Sequence, residues 1–489
     1  MNNIFYDART NVSPDGVLRA AGLELSTVTQ QLYSNPRALF WNNKANLFEQ
    51  LRNYAATHGI HDTFVSRETL NGLLSTRDPN DKAIADRLMT ESIMRTAQEI
   101  TRSNGSDFAQ TFKNAMLLPA QMTSPNAKTP AQLQIEAALD AAGPQHPIYN
   151  SMREQYAHLA ARGNLDHPKL VSLRVAMAKV RKEGFDDSVP NNMIRVNIPE
   201  RRAHYSINGV QGDSAVVIGG ALRPDGTMKT TPIATGEVKS AILQPVWDIP
   251  PSIAESKGLM NPELITNLRR QYLASGGTGN TYDFTHTNGE RYTIDFSRQN
   301  IPGVSPFSQK TSPSNPLGGI KLILGGQFAA NSIRMHHTAN GSSFNQSQLS
   351  SGCIRVEKVA DIVAALSTNP NLGAGYGYAN NRDLIQAAMT PGNLDQNGRQ
   401  QWAHPEFANM RIPINQGINV RTTYNTVTWD AQNNRAVVHR DIYRRDKYAD
   451  VPSRFAMPPI AFQNGAIIPA VDNSRQAHTA APRYQPVQT

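Results

Sequence analysis

The periodicity of the apolar residues changes at Pro190, and that change most constrains what this chain can fold into. Before it, apolar residues recur three and four positions apart, as Ile84, Leu88, Met89, Ile93 and Met94 do, which gathers them on one face of a helix. Beyond it they alternate, as Ile194, Val196 and Ile198 do, which gathers them on one face of a strand. A helical period cannot bury its apolar side chains in a sheet, so the two halves need different element types. The sequence therefore predicts an α+β protein. After a tail over 1–15, an α-helical scaffold domain covers 16–189, a mainly β domain covers 190–445, and a loosely attached tail covers 446–489.

Local punctuation supports both halves. Asp78-Pro79 opens a helix that Asn104-Gly105 closes, and a second helix over Ala131–Ala142 ends at Gly143-Pro144. In the β part, Tyr205 and Ile207 lead into Asn208-Gly209 and then Ala215 to Ile218, the pattern of a hairpin. Residues 248–310 interrupt the strands with Pro250-Pro251, a helical stretch from Pro262 to Leu273 and a glycine loop at 276–279, the pattern of an inserted lid. That glycine loop lacks the Lys and Ser/Thr of a phosphate cradle and is read as a flexible flap. Strands resume at Gly319–Leu324 and Ser332–His336, followed by a short helix over Glu357–Leu366 and strands over Asn419–Trp429 and Arg435–Tyr443.

Composition narrows the chemistry. The 489 residues carry a net charge of +9 and a single cysteine, Cys353, which excludes an internal disulfide and every site that needs several thiolates. No apolar run reaches the roughly 18 residues of a membrane span, and the first residues lack the apolar stretch of an ordinary export signal. The paired basic residues at 181–182, 269–270 and 444–445 are short and lack interleaved aromatics, so they read as solvated faces and not as a nucleic-acid platform.

The stretch that can carry chemistry runs from Ile333 to Val356. A histidine within reach of a thiol makes it a nucleophile by holding its proton, and His336 stands 17 positions before Cys353. Gly352 permits a tight turn whose N–H groups can hold an oxyanion. Blander roles compete: a lone cysteine is more often a small buried hydrophobe, Ser350 and Ser351 fit a simple turn, and His336-His337 fits a structural pair. No further ligand stands at metal spacing, so no metal is expected.

The segment Ser350-Ser-Gly-Cys-Ile-Arg-Val356, preceded by His336-His337-Thr338, resembles the catalytic signature of the bacterial L,D-transpeptidases, with the Ser-Ser variant of their large Gram-negative branch. Val196-Asn-Ile-Pro199, Pro245 to Pro251, Asn315-Pro-Leu-Gly318, Asp441-Ile-Tyr443, Asn35-Pro36 to Trp41 and Pro144-Gln-His-Pro147 fit that branch in order. The peptidoglycan-binding module usual in large members is not visible before Met193. The resemblance implies a cysteine-dependent acyltransferase that cross-links diaminopimelate residues of peptidoglycan stems through a thioester, with tetrapeptide stems as donor and acceptor. It implies no cofactor, and a periplasmic or cell-wall location reached by a route the sequence does not show. In this reading Cys353 is the nucleophile and His336 the base; backbone N–H groups of Gly352, Cys353 and Ser351 hold the oxyanion. Arg355, Thr338, His337, Ser350 and Trp247 bind substrate or order the loop, and Trp247 and Tyr282 pack the lid. Rival readings are an L,D-carboxypeptidase or D-amino-acid exchanger of the same fold, delivered as an antibacterial effector, and a non-catalytic wall-binding protein.

Overall fold

The structure, a computed structural model, describes residues 13–34, 39–42, 44–101, 106–118, 128–163, 166–222, 228–287, 289–338, 344, 350–396, 398–414, 417–447, 449, 453–463 and 466–469. Contacts along the chain divide it into two units, Met1–Asp187 together with Asn425–Gln488, and Ser188–Tyr424. The first is mainly helical and the second mainly β, so the chain is α+β.

In the helical unit the long helix Pro79–Thr101 is the centre, with Ile84, Leu88, Ile93, Met94 and Ala97 nearly inaccessible. Phe48, Leu51, Phe112 and Leu139 from other helices close on it. Its start follows the sequence signal, since Asp78 Oδ1 accepts the Asn80 N–H at 2.8 Å; Asn104 and Gly105 lie outside the described residues. The helix Pro130–Ala142 begins under Thr129, whose hydroxyl accepts the Gln132 N–H at 3.1 Å, and Gly143 follows its end. Each such cap satisfies an N–H that the helix itself cannot, and is worth about 1 kcal/mol.

The C-terminal part departs from the sequence reading, which ran the β domain on to 445 and left the remainder loose. The expected single strand over 419–429 is two, Asn419–Thr423 and Val427–Asp430. The latter pairs with Arg435–Val438, and this hairpin belongs to the helical unit. Val427 and Ala436 share a core with Tyr149, Met152, Leu173 and Met177, and Ser151 Oγ accepts the Ala436 N–H at 3.0 Å. A second hairpin, Ile460–Gln463 with Ala466–Pro469, adds Ile460 and Ile467 to the main helical core, and the Thr69 hydroxyl donates to the Ile460 carbonyl at 3.0 Å. Alternation in a short stretch is enough to bury one face once a helical surface offers a partner.

The β unit holds a nine-stranded sheet: β1 Met193–Asn197, β2 Arg202–Ile207, β3 Val210–Val217, β4 Thr235–Leu243, β5 Ile320–Leu324, β6 Met335–His336, β7 Ile354–Val356, β8 Arg411–Ile412 and β9 Asn419–Thr423. Its order is β5-β6-β7-β3-β2-β1-β9-β4-β8, and β4 also pairs with β5, so the sheet closes on itself. Closure depends on the length of β4, whose residues 235–237 pair with β9 and whose residues 238–243 pair with β5. The β2–β3 turn is the expected Asn-Gly hairpin, with φ of 51° at Asn208 and 81° at Gly209.

The insertion forms a layer of its own. Strands Trp247–Asp248, Phe307–Gln309, Arg291–Asp295 and Thr281–Thr285 make a four-stranded antiparallel sheet, backed by the helix Pro262–Ala274. Its core is Ile249, Leu268, Tyr272, Phe284, Ile294 and Phe307, with Trp247 and Tyr282 packed at the margin. The glycine loop is not free: Gly276, at φ 75°, ends the helix, the Gly277 N–H donates to the Tyr272 carbonyl at 3.1 Å, and a Cβ on Gly277 would overlap the Tyr272 ring. It is a pinned helix terminus and not a flap.

Candidate active site

Strands β6 and β7 run parallel, with Met335 opposite Ile354 and His336 opposite Arg355. Met335 and Ile354 are fully buried on the core face. Strand alternation then puts His336 and Arg355 on the other face, with Arg334 and Cys353 one step back in the same register. The Ile354 N–H donates to the Arg334 carbonyl at 2.9 Å, which fixes that register beside the cysteine. Cys353 and His336 thus occupy one diagonal of a four-residue block, and Arg334 and Arg355 occupy the other. On the far side of His336, β5 sets Lys321 opposite it.

The turn before β7 aims the thiol. Gly352 has φ of 110°, a region L side chains rarely adopt. Ser350, 3% exposed, is hydrogen-bonded through its N–H to the Ile218 carbonyl at 2.7 Å and through its carbonyl to the Gly220 N–H at 3.2 Å. The Ser350 hydroxyl accepts the Gly352 N–H at 3.1 Å and donates to the Cys353 carbonyl. Buried Thr231, which the sequence did not single out, ties the turn to the strand opposite. Its hydroxyl accepts the Gly219 N–H at 2.7 Å and donates to the Gly352 carbonyl at 2.8 Å. No sequence signal marks Thr231, because its role is set by chain segments more than a hundred residues apart.

The two histidines have different surroundings. His336 is 4% exposed, and its Nδ1 lies 2.5 Å from the His337 carbonyl, so Nδ1 carries the proton and Nε2 keeps its lone pair. Burial first, and then the Arg355 charge, push its pKa down to about 4, against the carbonyls of His337 and Leu317. His337 turns to the loop before β5, where its Nδ1 accepts the Gly319 N–H at 3.3 Å. Its ring fills the space over Gly318, where a Cβ would meet Nδ1 at 2.4 Å.

Burial pushes the Cys353 thiol up, opposed by the Arg334 N–H and the charges of Arg334 and Arg355. No hydrogen bond joins Sγ to the His336 ring. At neutral pH the pair is therefore a neutral thiol and a neutral imidazole, an arrangement that can take a proton from sulfur as it attacks. The Gly352 N–H, expected among the oxyanion donors, is committed to Ser350; the N–H groups of Ser351 and Cys353 meet no acceptor among the described residues. Arg355 is half-buried, its Nε has no hydrogen-bond partner among the described residues, and desolvation lowers its pKa. Thr338 is buried directly after β6. Trp247, expected to bind substrate or order the loop, is half-buried against the core of the insertion.

Residues 191–370 match the model of the YkuD family, the L,D-transpeptidase catalytic domain. The span includes the whole cysteine–histidine block and Thr231. No curated protein matches the chain. The chain carries a YkuD-type L,D-transpeptidase catalytic domain and is an L,D-transpeptidase-type enzyme. Among the described residues, no helix is long and apolar enough to cross a membrane.

Proposed function

We propose that the chain is a cysteine-dependent peptidoglycan L,D-transpeptidase that joins diaminopimelate residues of neighbouring stems at the cell wall, in the periplasm. The observation that carries this reading is the shared face of His336 on β6 and Cys353 one residue before the adjacent parallel strand β7, within the family-matched segment. Cys353 Sγ attacks the carbonyl between the third residue of a tetrapeptide stem and its terminal D-residue, while His336 takes the thiol proton. The tetrahedral oxyanion is held by the N–H groups of Cys353 and Ser351, and one such donor is worth roughly 10²–10³ in rate. The C–N bond then breaks, and His336 returns the proton to the departing amine. A thioester remains, and the side-chain amine of a second stem resolves it, forming the amide and regenerating the thiol. Arg355, charged and with its Nε unpartnered among the described residues, meets a carboxylate of the stem. Ser350 orders the turn, and His337 holds the loop before β5.

Incubation with a tetrapeptide muropeptide, read by intact mass, tests the acyl-enzyme step. The wild type gains the tripeptide acyl group, and Cys353→Ala gains nothing; an adduct in the variant refutes the assignment. Product analysis tests the acceptor. Cross-linked dimers support transpeptidation, whereas tripeptides alone or exchanged stems show that water or a free D-amino acid resolves the thioester.

A further inference from the structure

Arg334 stands beside the nucleophile, yet neither the sequence motif nor the proposed mechanism uses it. Register places it next to Cys353 across the strand pair and two residues before His336 on the catalytic face. It is half-buried, and among the described residues its guanidinium has one hydrogen bond, to the carbonyl of its own neighbour Ile333 at 3.1 Å. No ion pair reaches Arg334, Arg355 or Lys321 among the described residues; Lys321 feels the charge of Asp248, which is itself paired with Arg298 at 3.0 Å. Residues 339–349, which join the two catalytic strands, contain no Asp or Glu. Three cations therefore surround the Cys353–His336 diagonal without a carboxylate from these strands, their connection or the neighbouring β5. Like charges this close repel one another, and an anion supplied by the ligand relieves that repulsion.

We propose that Arg334 is a specificity-determining residue that binds a peptide carboxylate within one residue of the attacked carbonyl, on the opposite corner of the block from Arg355. The inference rests on the acyl-transfer reading of Cys353. The chemistry is that of a planar guanidinium meeting a carboxylate through two parallel N–H···O bonds, which a lysine cannot reproduce. A tetrapeptide donor offers two such carboxylates, one on the side chain of its third residue and one at its terminus.

The test compares acyl-enzyme formation from three synthetic tetrapeptides: the free acid, the terminal amide and the side-chain amide. The enzymes are the full-length wild type, Arg334→Gln and Arg334→Lys. For the wild type, amidating the carboxylate that Arg334 binds lowers kcat/KM by roughly tenfold to a hundredfold, the usual range for losing a charge-assisted pair. In Arg334→Gln that same amidation has no effect, while Arg334→Lys retains a reduced preference. Which amide loses its penalty in the variant identifies the carboxylate. A structural or purely electrostatic role for Arg334 slows all three donors alike and leaves their ratios unchanged, and that result overturns the inference. If Arg334→Gln does not fold, the same ratios are read in Arg334→Lys. Absence of any acyl adduct on wild-type Cys353 refutes the acyl-transfer reading itself, a separate outcome.

Discussion

Protonating His336 has a cost that can be measured. The ring is 4% exposed, flanked by Arg355 and bound through Nδ1 to a main-chain carbonyl, and its pKa of about 4 lies below the ordinary 6.5. The folded chain thus binds fewer protons than the unfolded chain between those pH values. The stabilisation from His336 is complete above about pH 6.5 and is lost as pH falls through about 4. The gap corresponds to about 3 kcal/mol. His336→Gln removes the titrating group while keeping a side chain able to donate a hydrogen bond. Between pH 6.5 and 4 the wild type should therefore lose about 3 kcal/mol more than the variant. Because Cys353 is the only cysteine, its labelling across a urea gradient, with a disulfide reagent active in acid, reports unfolding of the surrounding unit. The same neutral resting pair predicts that alkylation of Cys353 accelerates only as pH rises toward the raised thiol range, with no plateau between pH 5 and 7. Parallel stability curves for the two proteins, or a wild-type plateau of thiolate reactivity near pH 6, would refute the reasoning.

Other substitutions probe the scaffold. His337→Ala removes the acceptor of the Gly319 N–H and should cost about 1 kcal/mol by denaturant titration while leaving the pH profile of Cys353 alkylation unchanged. Thr231→Val leaves the Gly219 N–H and the Gly352 carbonyl without that hydroxyl, at about 1–3 kcal/mol per unsatisfied group. It should also slow acylation, seen by time-resolved intact mass. Gly352→Ala forces a side chain onto φ 110°, within 3.3 Å of Ile333 Cδ1. A destabilisation of about 1–3 kcal/mol with loss of acylation is expected, measured by thermal unfolding and mass spectrometry.

The local devices were legible in the sequence because short-range chemistry fixes them. Asp78-Pro79 starts a helix through a bond to a residue two positions away, and Asn208-Gly209 turns a hairpin through its own backbone angles. The catalytic candidates were legible for a related reason. Cys353 is the sole thiol, and Gly352 and His336 stand close to it along the chain in a recognisable order. The C-terminal hairpins were misread as domain continuation and tail. Alternation at Val427 or Ile460 says that one face is buried without saying which surface buries it.

The sequence by itself determined that helical and β halves coexist, and which thiol and imidazole are available. Only the tertiary structure decided their surroundings. Parallel pairing of β6 with β7 sets Arg334 and Arg355 across the Cys353–His336 diagonal, and Thr231 reaches Gly352 from 121 positions away. Parallel strands have no local turn to fix their register. It follows instead from closing the whole sheet around a shared core, and with it come the burial and, after it, the Arg355 charge that hold His336 neutral.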